Sequence, residues 1–242
     1  MKYALVIPCY NEEENIPDLI IRCNKLIASA NGSMTVVLVN NGSTDRSAQI
    51  FDGILRENIG YRYVHVPVNQ GYGFGILTGL KHCDADIIGW THADAQTDPM
   101  DVLSAIEFFE KDGTNIFVKG ERYGRPRADV FFTVGMSLFE SFILRVPLWD
   151  INAQPTMFSR AFFESWKNPP SDFSLDLFAY YTAKSAGLPV KRFPVRFGKR
   201  AFGISSWNQG WKSKKKFIQR TLKFSFELKK RINRENHSSS NQ

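Results

Sequence analysis

Four short, mainly apolar runs, each breaking off into polar residues, constrain this chain more than any other feature. Tyr3 to Pro8, Thr35 to Val39, Tyr61 to Val66 and Ile87 to Thr91 read as strands. The first two are continuously apolar, as in strands buried on both faces of a parallel sheet. Helical spacing fills the gaps between them. Glu13 to Ala30 places Ile16, Leu19, Ile20, Cys23 and Ile27 on one side, and Asn31-Gly32 closes it. A second helix runs to about Asn58 from a cap at Ser43 or Thr44, and a third from about Phe74 to His82. Strands alternating with helices at this pitch predict an α/β fold with a doubly wound, mostly parallel sheet.

Open sheets of this kind bind ligands at the carboxyl ends of their strands. The fourth run continues into His92, Asp94 and Gln96, then Asp98-Pro99, which suits a helix start. In extended backbone, residues at i, i+2 and i+4 point the same way, so these three side chains converge. They form either a ligand cluster or a polar strand-to-helix turn. The glycines at 71, 73 and 75 make a tight turn, with the spacing of neither the dinucleotide fingerprint nor the P-loop.

The second half is less regular. A helix is expected over Met100 to Glu110, a strand over Ile116 to Lys119 and a rim loop over Gly120 to Tyr123. A Phe-rich helix follows over Val130 to Val146, then a polar turn over Asp150 to Pro155 and a strand over Thr156 to Ser159. Phe173 to Ser185 reads as a helix, Val190 to Phe197 as a strand, and Gly198 to Gly210 as a loop.

The chain has 242 residues, enough for one large domain with an appendage: residues 1–210, a basic amphipathic helix over 211–232 and a disordered tail over 233–242. The three cysteines carry no paired spacing, which excludes a disulfide framework and a cysteine zinc site. With no signal peptide expected and no run of about 18 apolar residues, the expected location is cytoplasmic. Net charge is +7, but ten Lys/Arg against Glu227 and Glu235 lie beyond residue 210, leaving residues 1–210 nearly neutral. This argues against a nucleic-acid-binding core. In the basic helix, Phe217, Ile218, Leu222, Phe224, Leu228 and Ile232 share one side. It reads as lying peripherally on an anionic membrane surface or docked with a solvated cationic face.

Four segments, in order at successive strand ends, resemble family-two glycosyltransferases of the GT-A fold. They are Val-Ile-Pro-Cys-Tyr-Asn-Glu-Glu-Glu-Asn at 6–15, Val-Asn-Asn-Gly-Ser-Thr-Asp at 39–45, Asn-Gln-Gly at 69–71 and His-Ala-Asp-Ala-Gln at 92–96. Within that family the chain is most similar to the polyprenyl-phosphate sugar synthases. The resemblance implies that Pro8, Tyr10 and Glu12 surround a nucleotide's base and ribose, with Asn41, Asn69 and Gly71 beside them. It implies that Asp94 and Gln96 hold Mg²⁺ or Mn²⁺, with His92 where relatives carry a carboxylate. Arg122 would bind phosphate, and Arg200 and Ser205 would belong to a loop closing over the diphosphate. Asp150 would lie near donor sugar and acceptor, as a base or to position a hydroxyl.

The implied activity is metal-dependent, inverting transfer from a UDP- or GDP-linked sugar to a lipid-linked acceptor at the inner membrane face. The alternatives are a glycosyltransferase acting on a soluble glycan and an inactive sugar-nucleotide-binding module, the latter suggested by Asn40, Asn41 and His92 replacing carboxylates.

Overall fold

The structure is a computed structural model; it describes residues 1–55, 59–198, 200, 215, 218, 219 and 221–230. The elements in chain order are β1 (Tyr3–Cys9), α1 (Ile16–Ser29), β2 (Met34–Asn41), α2 (Ser47–Leu55), β3 (Tyr61–Val66), α3 (Tyr72–Lys81) and β4 (Ile87–Trp90). A 3-10 turn (Pro99–Asp101) leads into α4 (Val102–Asp112), followed by β5 (Phe117–Tyr123), α5 (Arg127–Leu144), β6 (Thr156–Ser159), α6 (Arg160–Glu164), α7 (Leu175–Ser185) and β7 (Val190–Arg196). The chain divides into two compact units, Met1–Arg125 with Asn152–Gly203 and Pro126–Ile151 with Ile204–Gln242. The expected boundary at 210 and tail 233–242 lie outside the described residues, as does much of the helix expected over 211–232.

The first unit holds one seven-stranded sheet in the order β3-β2-β1-β4-β6-β5-β7. β1 runs parallel to β2 and β4, and β2 to β3; β6 is antiparallel to both β4 and β5. Two reversals restore direction, so β5 and its parallel partner β7 end on the same edge as β1, β2 and β4. The central strands are buried almost throughout, as their apolar composition requires. α1 buries Ile16, Leu19, Ile20, Cys23 and Leu26; Ile27, expected inward, is only partly covered. On α3, Gly79 lets the helix lie close to the sheet, since a Cβ there would sit 2.8 Å from Val39 Cγ2 and closer still to Val6.

Three local expectations are corrected. The extended run through His92, Asp94 and Gln96 does not form: β4 ends at Trp90, and Ala95 takes φ 57°, turning the backbone. Gly120 to Tyr123 is not a rim loop but the end of β5, paired in register with β7 as far as Tyr123↔Arg196. Neither Ser43 nor Thr44 caps α2. Asp45 Oδ1 accepts from Ser47 N at 2.9 Å and its Oδ2 from Glu13 N at 3.1 Å, while Ser43 Oγ accepts from Asn11 N at 3.1 Å. These side chains tie the loops after β1 and β2 together.

The start expected at Asp98-Pro99 is present. Asp98 Oδ1 accepts from Met100 N at 2.9 Å and Asp101 Oδ2 accepts from Asp98 N at 3.3 Å, a reciprocal cap. Asp98→Ala is expected to cost about 1 kcal/mol, read as a lower urea midpoint at unchanged slope. An unchanged midpoint would show that the cap is redundant.

In the second unit, α5 buries Ser137, Glu140, Ile143 and Leu144. Residues 221–230 are helical; Ser225 and Leu228 are buried there, and Phe226 packs edge-on to Phe139 at 6.5 Å. Ser225 Oγ lies 2.5 Å from Glu140 Oε2 and donates to Thr221 O at 2.7 Å. Among the described residues no helix is long and apolar enough to cross a membrane.

Candidate active site

The polar rim is built from the loops that follow β1, β2, β4 and β7. Asp94 is 5% exposed just beyond β4. Its Oδ1 accepts from Gln96 N at 3.1 Å, fixing the turn, and its Oδ2 lies 2.7 Å from Arg200 Nη2. Arg200 also reaches toward Glu12, with Nη1 4.0 Å from Oε1. Gln96 clips the Arg200 segment in place: its Nε2 donates to Gly198 O at 3.2 Å, and its own carbonyl accepts from Gly198 N at 2.7 Å. Glu12, Asp94, Gln96 and Arg200 are therefore brought together from three distant stretches of chain. Burial raises the Glu12 carboxyl above its ordinary range, against the lowering effects of Asn15, which donates to it at 2.5 Å, and Arg200.

His92 lies at the edge of this group, its ring 6.0 Å from that of Tyr72. Burial lowers its pKa, opposed by the charges of Asp94 and Asp176. Pro8 is half-buried at the end of β1, and Tyr10 beyond it is 45% exposed. Asn41 ends β2, 3% exposed. Its Nδ2 donates to Gly71 O at 3.0 Å, while its Oδ1 has no hydrogen-bond partner. Asn69 Oδ1 accepts from Gly71 N at 2.8 Å, and Gly71 holds φ 110° at the start of α3, so a left-handed turn fixes the Asn41 amide.

Asn40 is shown to have a structural environment. Its Oδ1 accepts from Ser43 N at 3.0 Å, and its Nδ2 lies 3.2 Å from Tyr63 Oη and 3.4 Å from His65 Nδ1. Arg122 lies on β5 with its guanidinium 5.2 Å from the Phe197 ring centre. Asp150 belongs to the second unit, 2% exposed at φ 42°. Ser205 lies outside the described residues.

Tyr72, Gln154 and Asp176 also gather beside His92; the sequence pointed to Gln154 only, in the polar turn after Asp150, and gave Tyr72 and Asp176 no role. Tyr72 stacks on Phe173 at 4.7 Å, and its hydroxyl accepts a hydrogen bond from Gln154 Nε2. Gln154 Oε1 and Asp176 Oδ1 are buried without hydrogen-bond partners. Burial, with the nearby Asp176 charge, raises the Tyr72 phenol well above its ordinary value. The available signal was Asp176 itself, a lone carboxylate in the otherwise apolar run Leu175 to Ala179.

A mostly parallel sheet with carboxylate, amide and guanidinium groups gathered at its strand ends is the arrangement of an α/β fold that binds its ligand at the rim. The sequence matches the family "Glycosyl transferase family 2" over residues 4–165, and the chain belongs to that family. It is 34% identical over 133 residues to an undecaprenyl-phosphate 4-deoxy-4-formamido-L-arabinose transferase of Enterobacter sp., covering 52% of this chain and 40% of that protein. The corresponding Pseudomonas fluorescens protein is 32% identical over 106 residues, covering 43% of this chain and 31% of its own length. The matches thus span well under half of these relatives. Among solved structures, glucosyl-3-phosphoglycerate synthase from Mycobacterium tuberculosis with Mn²⁺ and UDP-glucose superimposes with TM-score 0.67 at 18% identity, over 93% of this chain and 78% of that one. The mannosyltransferase PcManGT from Pyrobaculum calidifontis with GDP-Man and Mn²⁺ gives 0.63 at 19%, over 84% and 58%. These likenesses establish the fold.

Proposed function

We propose that the chain transfers a sugar, with inversion, from a uridine- or guanosine-diphosphate donor to a polyprenyl phosphate or another lipid-linked acceptor at a membrane's inner face. The observation that carries this reading is the Asp94–Arg200 pair, a nearly buried carboxylate and a guanidinium 2.7 Å apart beyond β4. A departing diphosphate needs both a cation and donors that fork onto its oxygens.

Among the described residues no group of three or more His, Cys, Asp or Glu side chains is placed to hold a metal ion, so a divalent cation would take only Asp94 and Gln96 from this chain and the rest of its shell from substrate and water. Asp94 supplies a hard carboxylate oxygen, Gln96 retains an amide oxygen, and Arg200 already occupies Asp94 as a positive charge would. Mg²⁺ and Mn²⁺ characteristically take one or two carboxylates and complete their shell with substrate phosphate and water. When bound, the ion would supply neutralisation of the diphosphate charge. Arg200 and Arg122 are assigned to phosphate oxygens, and Pro8, Tyr10, Glu12, Asn69 and Gly71 to the nucleoside. Asn41 Oδ1, buried and without a partner, suits an N–H of the base. A phosphate acceptor is already anionic and needs no general base, so Asp150 is assigned to positioning a sugar hydroxyl.

The test is transfer from radiolabelled UDP- and GDP-sugars to polyprenyl phosphate in detergent, with Mg²⁺, Mn²⁺ or EDTA. Lipid-soluble label dependent on metal is expected. Nucleotide binding without turnover of any donor would refute the reading in favour of an inactive module, and label passing only to soluble glycan would refute the lipid acceptor. Arg200→Lys keeps the charge but loses the fork, and should lower kcat about tenfold. Unchanged kcat would place Arg200 off the diphosphate.

A further inference from the structure

α5 buries Ile143 and Leu144 as a surface helix does, but it departs from that pattern along the rest of its length. Its polar Ser137 and Glu140 are buried at 1% and 0%, whereas Phe131, Leu138 and Phe142 are exposed at 81%, 63% and 81%. A helix bounded by water shows the opposite arrangement. At 100° per residue these three side chains fall within an arc of about 40°, so they form one stripe rather than scattered exposures. Gly135 lies beside it, with no heavy atom within 4 Å of where its Cβ would be. Contiguous apolar surface of this kind marks a docking face.

The charges around the stripe select its occupant. Arg127 and Arg145 are exposed at its two ends, Arg127 on the first turn of α5 and Arg145 at its left-handed C-cap. In the same unit, Lys230 and Lys223, the latter 3.9 Å from the Glu227 carboxylate, are exposed on the helical residues 221–230, which also present Phe226 at 48%. An apolar strip bracketed by long cationic side chains matches hydrocarbon beneath anionic headgroups, because such side chains lay their stems in the apolar layer and hold the charge at the phosphates.

We propose that the Phe131–Leu138–Phe142 face of α5 inserts into the surface of an anionic phospholipid bilayer, with Arg127 and Arg145 on the headgroups. This deepens the membrane role proposed above and rests on that reading only for the expectation that a membrane is the partner.

The test is co-flotation of the full chain with phosphatidylcholine vesicles containing phosphatidylglycerol, compared with the variant Phe131→Ser/Leu138→Ser/Phe142→Ser. Each apolar side chain withdrawn from water is worth about tenfold in partitioning, so the triple variant should bind at least 100-fold more weakly. Retention of wild-type binding by the variant overturns the proposal. A wild-type dimer that the variant dissolves, with no flotation by either, also overturns it and assigns the face to a second copy. Phe131→Trp gives an independent reading that leaves the apolar surface in place. Its emission should shift to the blue on adding these vesicles, and no shift overturns the proposal. Donor hydrolysis in detergent, measured on the same triple variant, is expected to be unchanged. Its absence in wild type would count against the transferase reading and leave the flotation result standing.

Discussion

Asp94→Ala is expected to lower turnover at least about 100-fold, the usual cost of deleting one group that stabilises charge developing in a transition state. Asp94 is the nearly buried acid at the end of β4, and it contacts both Arg200 and the Gln96 amide. Removing it deletes the oxygen assigned to the cation and releases the guanidinium assigned to the diphosphate. The fold should persist, because the Arg200 side chain is 25% exposed and can turn toward water. Asp94→Asn separates charge from shape: the Gln96 turn can survive while metal affinity falls. Turnover within threefold of wild type in the alanine variant, at saturating Mn²⁺, would remove Asp94 from the mechanism.

The second large effect concerns stability. Burial raises the Glu140 carboxyl from 4.5 to about 7, and the contact with Ser225 only partly opposes this. Among the described residues, no charged side chain contributes to the shift. The folded state therefore holds this proton more tightly than the unfolded chain. Its stabilising contribution is complete below about pH 4.5 and is lost as pH rises through about 7, above which the chain carries a buried anion. Ser225 has one proton and is already a donor to Thr221 O, so a protonated Glu140 donating to Ser225 Oγ completes the chain of bonds. Glu140→Gln keeps a donor and loses the charge. It should leave stability unchanged at pH 4 and raise it by about 2 kcal/mol at pH 8. Urea melts of both proteins at the two pH values decide it; parallel curves would show that Glu140 titrates as an ordinary carboxylate.

The central strands β1, β2 and β4 were legible because buried parallel strands leave uninterrupted apolar runs. Tyr61 to Val66 and Thr156 to Ser159 match the observed bounds, and β1, β2 and β4 differ by a few residues at their ends. Residues whose roles depend on other segments were not legible. Ser43 and Thr44 resemble helix caps locally but bond to Asn11 of a different loop. Arg122 looks like a loop residue in a Gly-Glu-Arg-Tyr setting, yet pairing with β7 extends the strand through it. α6 spans only Arg160–Glu164, too short to show helical periodicity. At the site, the local motif marked Asp94 and Gln96. Their joining to Arg200 depends on Gly198 hydrogen-bonding across the fold, and composition carries no trace of that. Asp176 was visible only as an exception to its surroundings.

β5 and β6 pair directly, Phe117 with Phe158 and Lys119 with Thr156, although all of α5 and the Asp150 turn lie between them in the chain. The connection is thus a hairpin whose tip has grown into a separate lobe. Closing a loop costs only about 0.6 kcal/mol more for each doubling of its length. The stem can therefore remain fixed while the tip is lengthened, shortened or exchanged. That makes 126–151, taken together with the 221–230 helix that packs on it, a natural graft point: such a lobe transplanted from a relative would leave strand register and the β1, β2 and β4 rim intact, and could redirect what the molecule attaches to without rebuilding the site proposed for the nucleotide.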